Sequence, residues 1–331
     1  MVKVNIKDVA DKAGVSTATV SHVINRTRFV KEETTKKVLE AMEKLNYYPN
    51  FAARSLRSRK SNTIGLLVPD ISNFFFTSMI RGVENTLTRH KYNLILSDSD
   101  EKLEKEIEKL KIYNTQLIDG LIMAPVSGDH AFLNKLFSGY YPVVFVDRKP
   151  KGYNADCVLS DNTKGVYDAV DMLIRKGHTR IGIIIGLPGL TSMEERLSAY
   201  KKALNSHQLK IDGYLIKKAN GTFEGGYKST KELLKNTDIT ALFVINNVMT
   251  IGAIKYLKEK QVAIPRDIAI IGFDDYKWSS IIEPPLSMVK QPAYAIGEKA
   301  SILLIKRIKK IETGNYKEYR LPTKLVIRDS C

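Results

Sequence analysis

The chain is poor in cysteine. Only Cys157 and Cys331 occur in 331 residues, far apart, which excludes a disulfide framework and a cysteine metal cluster. Long apolar runs are also missing. The longest, around 120–126 and 181–187, are much too short to span a bilayer. No apolar segment follows Met1, so a secretory signal is not expected and the chain is expected to be cytoplasmic. Catalytic signatures are absent as well. There is no Gly-x4-Gly-Lys phosphate loop, no Gly-x-Ser-x-Gly elbow and no His-Glu-x-x-His pair. The five histidines, His22, His90, His130, His178 and His207, are scattered. This pattern argues against an enzyme and against a resident cofactor or metal.

Acidic residues are in deficit. Lys and Arg number 52 against 36 Asp and Glu, a net charge of +16. The excess is uneven. Residues 1–62 carry 13 basic and 6 acidic side chains, so positive charge is several-fold denser there than in the rest. A basic head on a long chain is the footprint of a phosphate-bearing partner. At 331 residues, with 44% hydrophobic and 27% charged content, two or three globular domains are expected.

The head carries its own pattern. Ile6, Val9, Ala10 and Ala13 follow helical spacing, and Gly14 ends that helix. Ser16 is placed to cap a second helix on which Val20, Val23 and Ile24 face inward. Thr17, Ala18, Ser21 and His22 are left outward. Val38, Ala41, Met42 and Leu45 mark a third helix over 31–46, with Lys31 where a small capping residue is usual. Two short helices about a tight turn, supported by a third, form a helix-turn-helix. A plain three-helix bundle would not explain the outward short donors, nor His22 flanked by Arg26 and Arg28. The spacing places Thr17, Ala18 and His22 at base edges of a major groove, His22 donating to a guanine acceptor. Thr19, Ser21, Asn25 and Arg28 are placed at phosphates.

A second basic stretch runs over 48–60. Asn50 can cap a helix over 51–58, too short to stand alone. Leu56 among Arg54, Arg57 and Arg59 fits an apolar wedge for a minor groove; a solvated linker is the alternative. From Thr63 strands alternate with helices. Strands are expected over 64–69, 93–99, 120–124, 142–146, 181–186, 241–245 and 268–273. Helices are expected over 78–91, 101–116, 164–176, 194–207, 226–235 and 248–260. This is an α/β body with parallel sheets covered on both faces. Ligands of such sheets bind beyond the strands' carboxyl ends. The loops there hold Asp70, Asn73, Phe75, Phe76, Asp147, Arg148, Ser192, Arg196, Phe223, Asn246 and Asp274, a set of carboxylates, amides, guanidinium groups and rings suited to a polyol. Phe75 and Phe76 fit a core role equally, and Asp274 and Asp275 a capping role. Arg148 and Arg196 together would suit a phosphorylated or acidic sugar.

These residues converge on a family. Ile6-Lys-Asp-Val-Ala, Val15-Ser-Thr-Ala-Thr-Val-Ser, Tyr48-Pro-Asn, Ala53-Arg-Ser-Leu56, Ile64-Gly-Leu-Leu-Val-Pro-Asp, Val146-Asp-Arg148, Glu195-Arg196 and Gly272-Phe-Asp-Asp275 occur in order. Over essentially its whole length the chain resembles the LacI/GalR family of bacterial repressors. Its head is most similar to that of a purine-responsive member. The resemblance implies a three-helix headpiece over 1–49, a hinge helix and linker over 50–62, and a periplasmic-binding-protein-like core over 63–331. It divides that core into one subdomain of about 63–161 with 291–320 and another of about 162–290 with the C-terminal segment. It implies a homodimer on a palindromic double-stranded operator, no membrane partner, and control by a small effector. A sugar or sugar derivative is favoured, because Leu190 stands where a purine site needs a polar contact. A purine co-repressor and a phosphorylated carrier protein are the alternatives within the family, and a transport-type solute-binding protein lies outside it. Asn246-Asn247 departs from the Asn-Asp common among sugar regulators, and Phe74 from a frequent Pro.

Overall fold

The computed structural model describes residues 4–25, 27–47, 61–115, 118–137 and 141–331. The chain forms two compact units, residues 1–61 and 62–331. The expected hinge helix, with Arg54, Leu56 and Arg57, lies outside the described residues, as does Arg26.

The head consists of α1 (Ile6–Ala13), α2 (Thr17–Asn25) and α3 (Glu32–Lys44). Asn5 Oδ1 accepts from the Lys7 and Asp8 N–H groups while Asp8 accepts from Asn5 N–H at 2.7 Å, a reciprocal cap on α1. Gly14 leaves α1 at φ +65°, a conformation that costs glycine nothing. Ser16 Oγ accepts from Thr19 N–H at 3.1 Å and starts α2. Lys31 makes no capping bond, yet α3 begins directly after it. Glu32 and Glu33 place carboxylates at the helix's positive end, and Glu33 also pairs with Lys37 at 2.7 Å. Val9, Ala10, Val20, Val38 and Ala41 are buried between the three helices, which none could achieve alone.

The larger unit has two lobes. In the first run β1 (Thr63–Val68), α4 (Phe74–Arg89), β2 (Asn93–Asp98), α5 (Leu103–Thr115), β3 (Gly120–Met123), α6 (Leu133–Phe137), β4 (Val143–Val146) and β5 (Asp156–Ser160). The second holds α7 (Asn162–Arg175), β6 (Ile181–Ile185), α8 (Thr191–Ser206), β7 (Ile216–Lys218), α9 (Phe223–Asn236), β8 (Ala241–Val244), α10 (Asn247–Glu259), β9 (Ala269–Phe273) and β10 (Ser287–Lys290). Then α11 (Ala293–Ile308) and β11 (Glu318–Leu321) return to the first lobe, and β12 (Lys324–Val326) to the second.

The first sheet runs β11-β5-β4-β3-β1-β2 and is parallel throughout. The second runs β12-β10-β9-β8-β6-β7, antiparallel only at β12. The α/β class with parallel sheets expected from the sequence is the class observed. The chain therefore passes between lobes at Asp161, at Gln291–Pro292 and at Pro322–Thr323. Thr323 Oγ1 donates to Asp161 O at 3.0 Å, tying two of these crossings together.

The strands missing from the sequence reading, β5, β7, β10, β11 and β12, escaped it for different reasons. Strand β5 opens on Asp156, a residue that argues against a buried strand. Its carboxylate is 0% exposed because Arg307 grips it with two bonds, at 2.7 and 2.9 Å, and Lys317 N–H adds a third. Strands β7, β11 and β12 are short, half-exposed edges without a continuous apolar run. Helix α4 starts four residues earlier than the apolar spacing suggests, because Asn73 caps it by accepting from Phe75 N–H at 3.0 Å.

Glycines set two helix crossings. A Cβ on Gly82 of α4 would lie 2.1 Å from Tyr294 O of α11, and one on Gly297 of α11 would lie 2.2 Å from Met79 O of α4. In the second lobe Gly226 of α9 and Gly252 of α10 approach each other's backbone in the same reciprocal way. Among the described residues no helix is long and apolar enough to cross a membrane, and no group of three or more His, Cys, Asp or Glu could hold a metal.

Candidate functional site

The outward face of α2 is cross-linked. Ser16 Oγ and Thr19 Oγ1 are 2.9 Å apart. Asn25 Nδ2 donates to Ser21 O at 2.8 Å and to Ser21 Oγ at 3.1 Å. His22 Nδ1 lies 2.8 Å from Thr27 Oγ1, just beyond the helix. Thr17, Ala18 and Arg28 are exposed and Thr19 is half-buried, while Val20 behind them is 0% exposed. Side chains that donate hydrogen bonds thus stand on one face of a helix whose other face is locked in the core.

In the larger unit, a cavity of about 420 Å3 opens between the lobes at the carboxyl ends of the strands. Asp70, Asn73, Arg148, Phe223 and Asn246 line it, from the sequence-derived set. Asp100, Glu101, Leu190 and Glu224 also line it, and the loop logic did not single these four out as ligand residues. A smaller cavity of about 360 Å3 is lined by Phe75 and Asp274 of that set, together with Phe74, Tyr276, Gln291 and Arg328. Phe76 lines neither; it is 3% exposed in the first lobe's core, edge-on to Phe75 with ring centres 5.1 Å apart. Asp147, Ser192 and Arg196 are likewise buried behind the cavity walls. Ser192 Oγ has no hydrogen-bond partner among the described residues.

Both arginines have internal partners. Arg148 meets Glu101 in a two-pronged pair, at 2.7 and 2.9 Å, and also donates to Pro125 O and Asp147. Arg196 donates to Asn162 Oδ1 at 2.9 Å and to Ile245 O at 2.7 Å, with its guanidinium 3.8 Å above the Phe273 ring. Arg148 thus has donors on all three of its nitrogens engaged, whereas Arg196 uses Nε and Nη1 and keeps Nη2 without a hydrogen bond among the described residues. Arg148 is the one cation among the described residues of the larger cavity, against Asp70, Asp100, Glu101 and Glu224.

Two aspartates occupy matching places. Asp147 follows β4 at φ +63° and Asp274 follows β9 at φ +72°, left-handed turns that aspartate tolerates better than most residues. Burial pushes both carboxyls above their usual range, opposed in Asp147 by Arg148 and Arg196 and in Asp274 by Arg196 and a bond from Gln291. Burial likewise lowers Arg196, against the pull of Asp274 and Asp147.

Contacts also bridge the lobes. Asn247 Nδ2 donates to Asn73 Oδ1 at 3.0 Å. The Phe74 and Tyr276 rings stack 4.1 Å apart, 6° from parallel. Lys149 N–H donates to Thr191 Oγ1 at 2.9 Å. The ligand-sized space is thus enclosed by hinged halves that already touch.

This arrangement has close counterparts. Residues 5–50 match the model of the lacI family of bacterial regulatory proteins, and residues 170–331 match that of a periplasmic binding protein-like domain. The ribose operon repressor of Bacillus subtilis is 40% identical over 306 residues, 92% of each chain. Catabolite control protein A of Priestia megaterium is 36% identical over 329 residues, 99% of each. Among solved structures, the lac repressor dimer bound to operator and the anti-inducer ONPF superposes with a TM-score of 0.88 at 25% identity, covering 99% of this chain and 98% of that one. A lacI-family regulator from Enterococcus faecium with bound ribose gives 0.74 at 30% identity, covering 81% and 98%. The chain belongs to the lacI family of bacterial regulatory proteins, and it is a DNA-binding transcriptional regulator rather than an enzyme.

Proposed function

We propose that this regulator represses carbohydrate genes as a cytoplasmic homodimer on a palindromic operator, and that its effector is a neutral sugar. On this reading α2 lies in the major groove with Thr17, Ala18 and His22 at base edges and Thr19, Ser21, Asn25 and Arg28 at phosphates. Arg54 and Arg57 track the backbone beside the minor groove, and Leu56 enters it as a wedge. The effector fills the larger cavity. Asp70, Asn73 and Asn246 offer hydroxyl partners there, and Phe223 offers a ring face. Arg148 lines the site while paired with Glu101, Asp147 and Arg196 shape it from behind, and Ser192 offers an unsatisfied hydroxyl. Phe75 and Asp274 bound the adjoining smaller space, while Phe76 acts from the core.

The observation that carries the effector class is the acidic balance of the cavity lining. Arg148, the one cation among the described lining residues, is held by Glu101, and Asp70, Asp100, Glu101 and Glu224 stand against it beside the Asn73 and Asn246 amides. Such a lining accepts hydroxyl donors and repels phosphate. Similar regulators of known structure point the same way, one with bound ribose and another in complex with cellobiose.

A thermal-shift series on the full chain tests the reading. Ribose, other neutral pentoses and hexoses, and their phosphates are compared. A neutral sugar at 100 times its dissociation constant should add about 2.7 kcal/mol of stability, and its phosphate little. Stabilisation by phosphates or purines alone would refute it.

A further inference from the structure

Neutral imidazole is asymmetric, since one ring nitrogen carries the proton and donates while the other accepts. Which nitrogen faces DNA, and in which state, decides what His22 can read. His22 Nδ1 lies 2.8 Å from Thr27 Oγ1, across the end of α2. We propose that Thr27 is a specificity-determining positioning residue. Its hydroxyl donates to His22 Nδ1, holds the ring proton on Nε2, and so makes the base-facing nitrogen a donor. The inference rests on the reading of His22 as a base-edge residue.

Three features carry it. No carboxylate pairs with His22 among the described residues, so nothing demands a proton on Nδ1. Thr27 Oγ1 has no other hydrogen-bond partner there, so its single hydrogen is free for Nδ1. The polar neighbours on the helix are already engaged, Ser21 with Asn25 and Thr19 with Ser16, which leaves Thr27 to orient the ring. A donor at Nε2 matches guanine, whose O6 and N7 both accept in the major groove. An acceptor there would match the cytosine or adenine amino group instead. One hydroxyl outside the recognition helix thus sets the sign of the readout.

The test uses the full-length protein and a library of randomised duplexes of about 18 base pairs, long enough for two half-sites. Base preferences are measured for the wild type, His22→Ala, Thr27→Val and Thr27→Ser. His22→Ala should flatten one position per half-site, and the wild type should prefer guanine there. Thr27→Val should reduce that preference by roughly fivefold and leave the preferences at other positions unchanged. Thr27→Ser, which keeps the hydroxyl, should restore it. If His22→Ala flattens no position, the parent reading falls. If it flattens one while Thr27→Val leaves that position intact, Thr27 has no such role and the parent reading stands. Equal weakening of every duplex by Thr27→Val would make Thr27 a phosphate contact and overturn the inference. A cytosine or adenine at the His22-dependent position would overturn the assigned proton.

Discussion

Asn247 reaches across the cleft and donates its amide to Asn73 Oδ1 at 3.0 Å, an oxygen that also accepts from Phe75 N–H at the start of α4. The double use fixes the sense of the bond. Turning the Asn73 amide would surrender the helix cap, so the group at position 247 must be a donor. An asparagine at 247 meets that need where an aspartate would not, because an ionised carboxylate only accepts. Asn247→Asp should set two acceptors face to face and part the lobes at this point. Expected is a loss of about 1–3 kcal/mol in chemical unfolding, since Asn247 is 1% exposed. Unchanged stability would mean the contact does not hold the lobes.

A second link runs through the Glu195-Arg196 motif. Arg320 of β11 donates to Glu195 Oε1 at 2.7 Å, Glu195 Oε2 accepts from Asn162 at 2.9 Å, and Asn162 Oδ1 accepts from Arg196. The chain of bonds joins the crossing strand to the buried guanidinium behind the cavity. Its outer pair is partly exposed, so Arg320→Ala should cost only about 1 kcal/mol of stability. Its effect on effector affinity should be larger than its effect on the isolated DNA interaction. Titration calorimetry with and without operator separates the two; equal changes in both would argue against coupling through Glu195.

The glycine crossings predict a steep steric response. Gly297→Ala would drive a methyl into Met79 O and Val83 N, both backbone atoms of α4 that cannot step aside singly. Overpacking of this kind costs about 1–3 kcal/mol, read as a lower urea midpoint. Gly213→Ala is the control. No atom lies within 4 Å of its added carbon, and a change within about 0.5 kcal/mol is expected.

Asp274 gives a pH signature. Burial raises its carboxyl in the folded state, so the fold holds that proton more readily than the unfolded chain does. The corresponding stability is complete below the unfolded value of about 4 and is lost as pH rises through the raised folded value. Asp274→Asn removes the buried charge while keeping an oxygen for Gln291. The variant should melt higher than wild type at pH 8, with the gap closing towards pH 4, in scanning calorimetry without effector. A gap that widens on acidification would reverse the sign and show that Arg196 outweighs burial.

Local pattern settled much of this protein. The spacing of Val9, Ala10, Val20, Val38 and Ala41, the left-handed Gly14 and the Ser16 cap are short-range features, and they write the headpiece directly into the chain. Continuous apolar runs such as 181–185 and 241–244 likewise announce buried parallel strands. The body's cavities were legible only as loops at strand ends. Phe75 and Phe76 are adjacent and alike in sequence, yet one borders a cavity and the other is core, because successive residues on α4 point about 100° apart against a sheet that sequence does not orient.

What tertiary structure alone decided is which polar groups remain available. Arg148 looks like a free anion receptor until Glu101 is seen to occupy it, and Arg196 until Asn162 and Ile245 O are seen to take part of its donor set. Buried Asp156 looks foreign to a strand until Arg307, 151 residues away, is placed beside it. Hydrogen-bond capacity is carried by residue type, but its spending depends on partners brought together only by the folded chain.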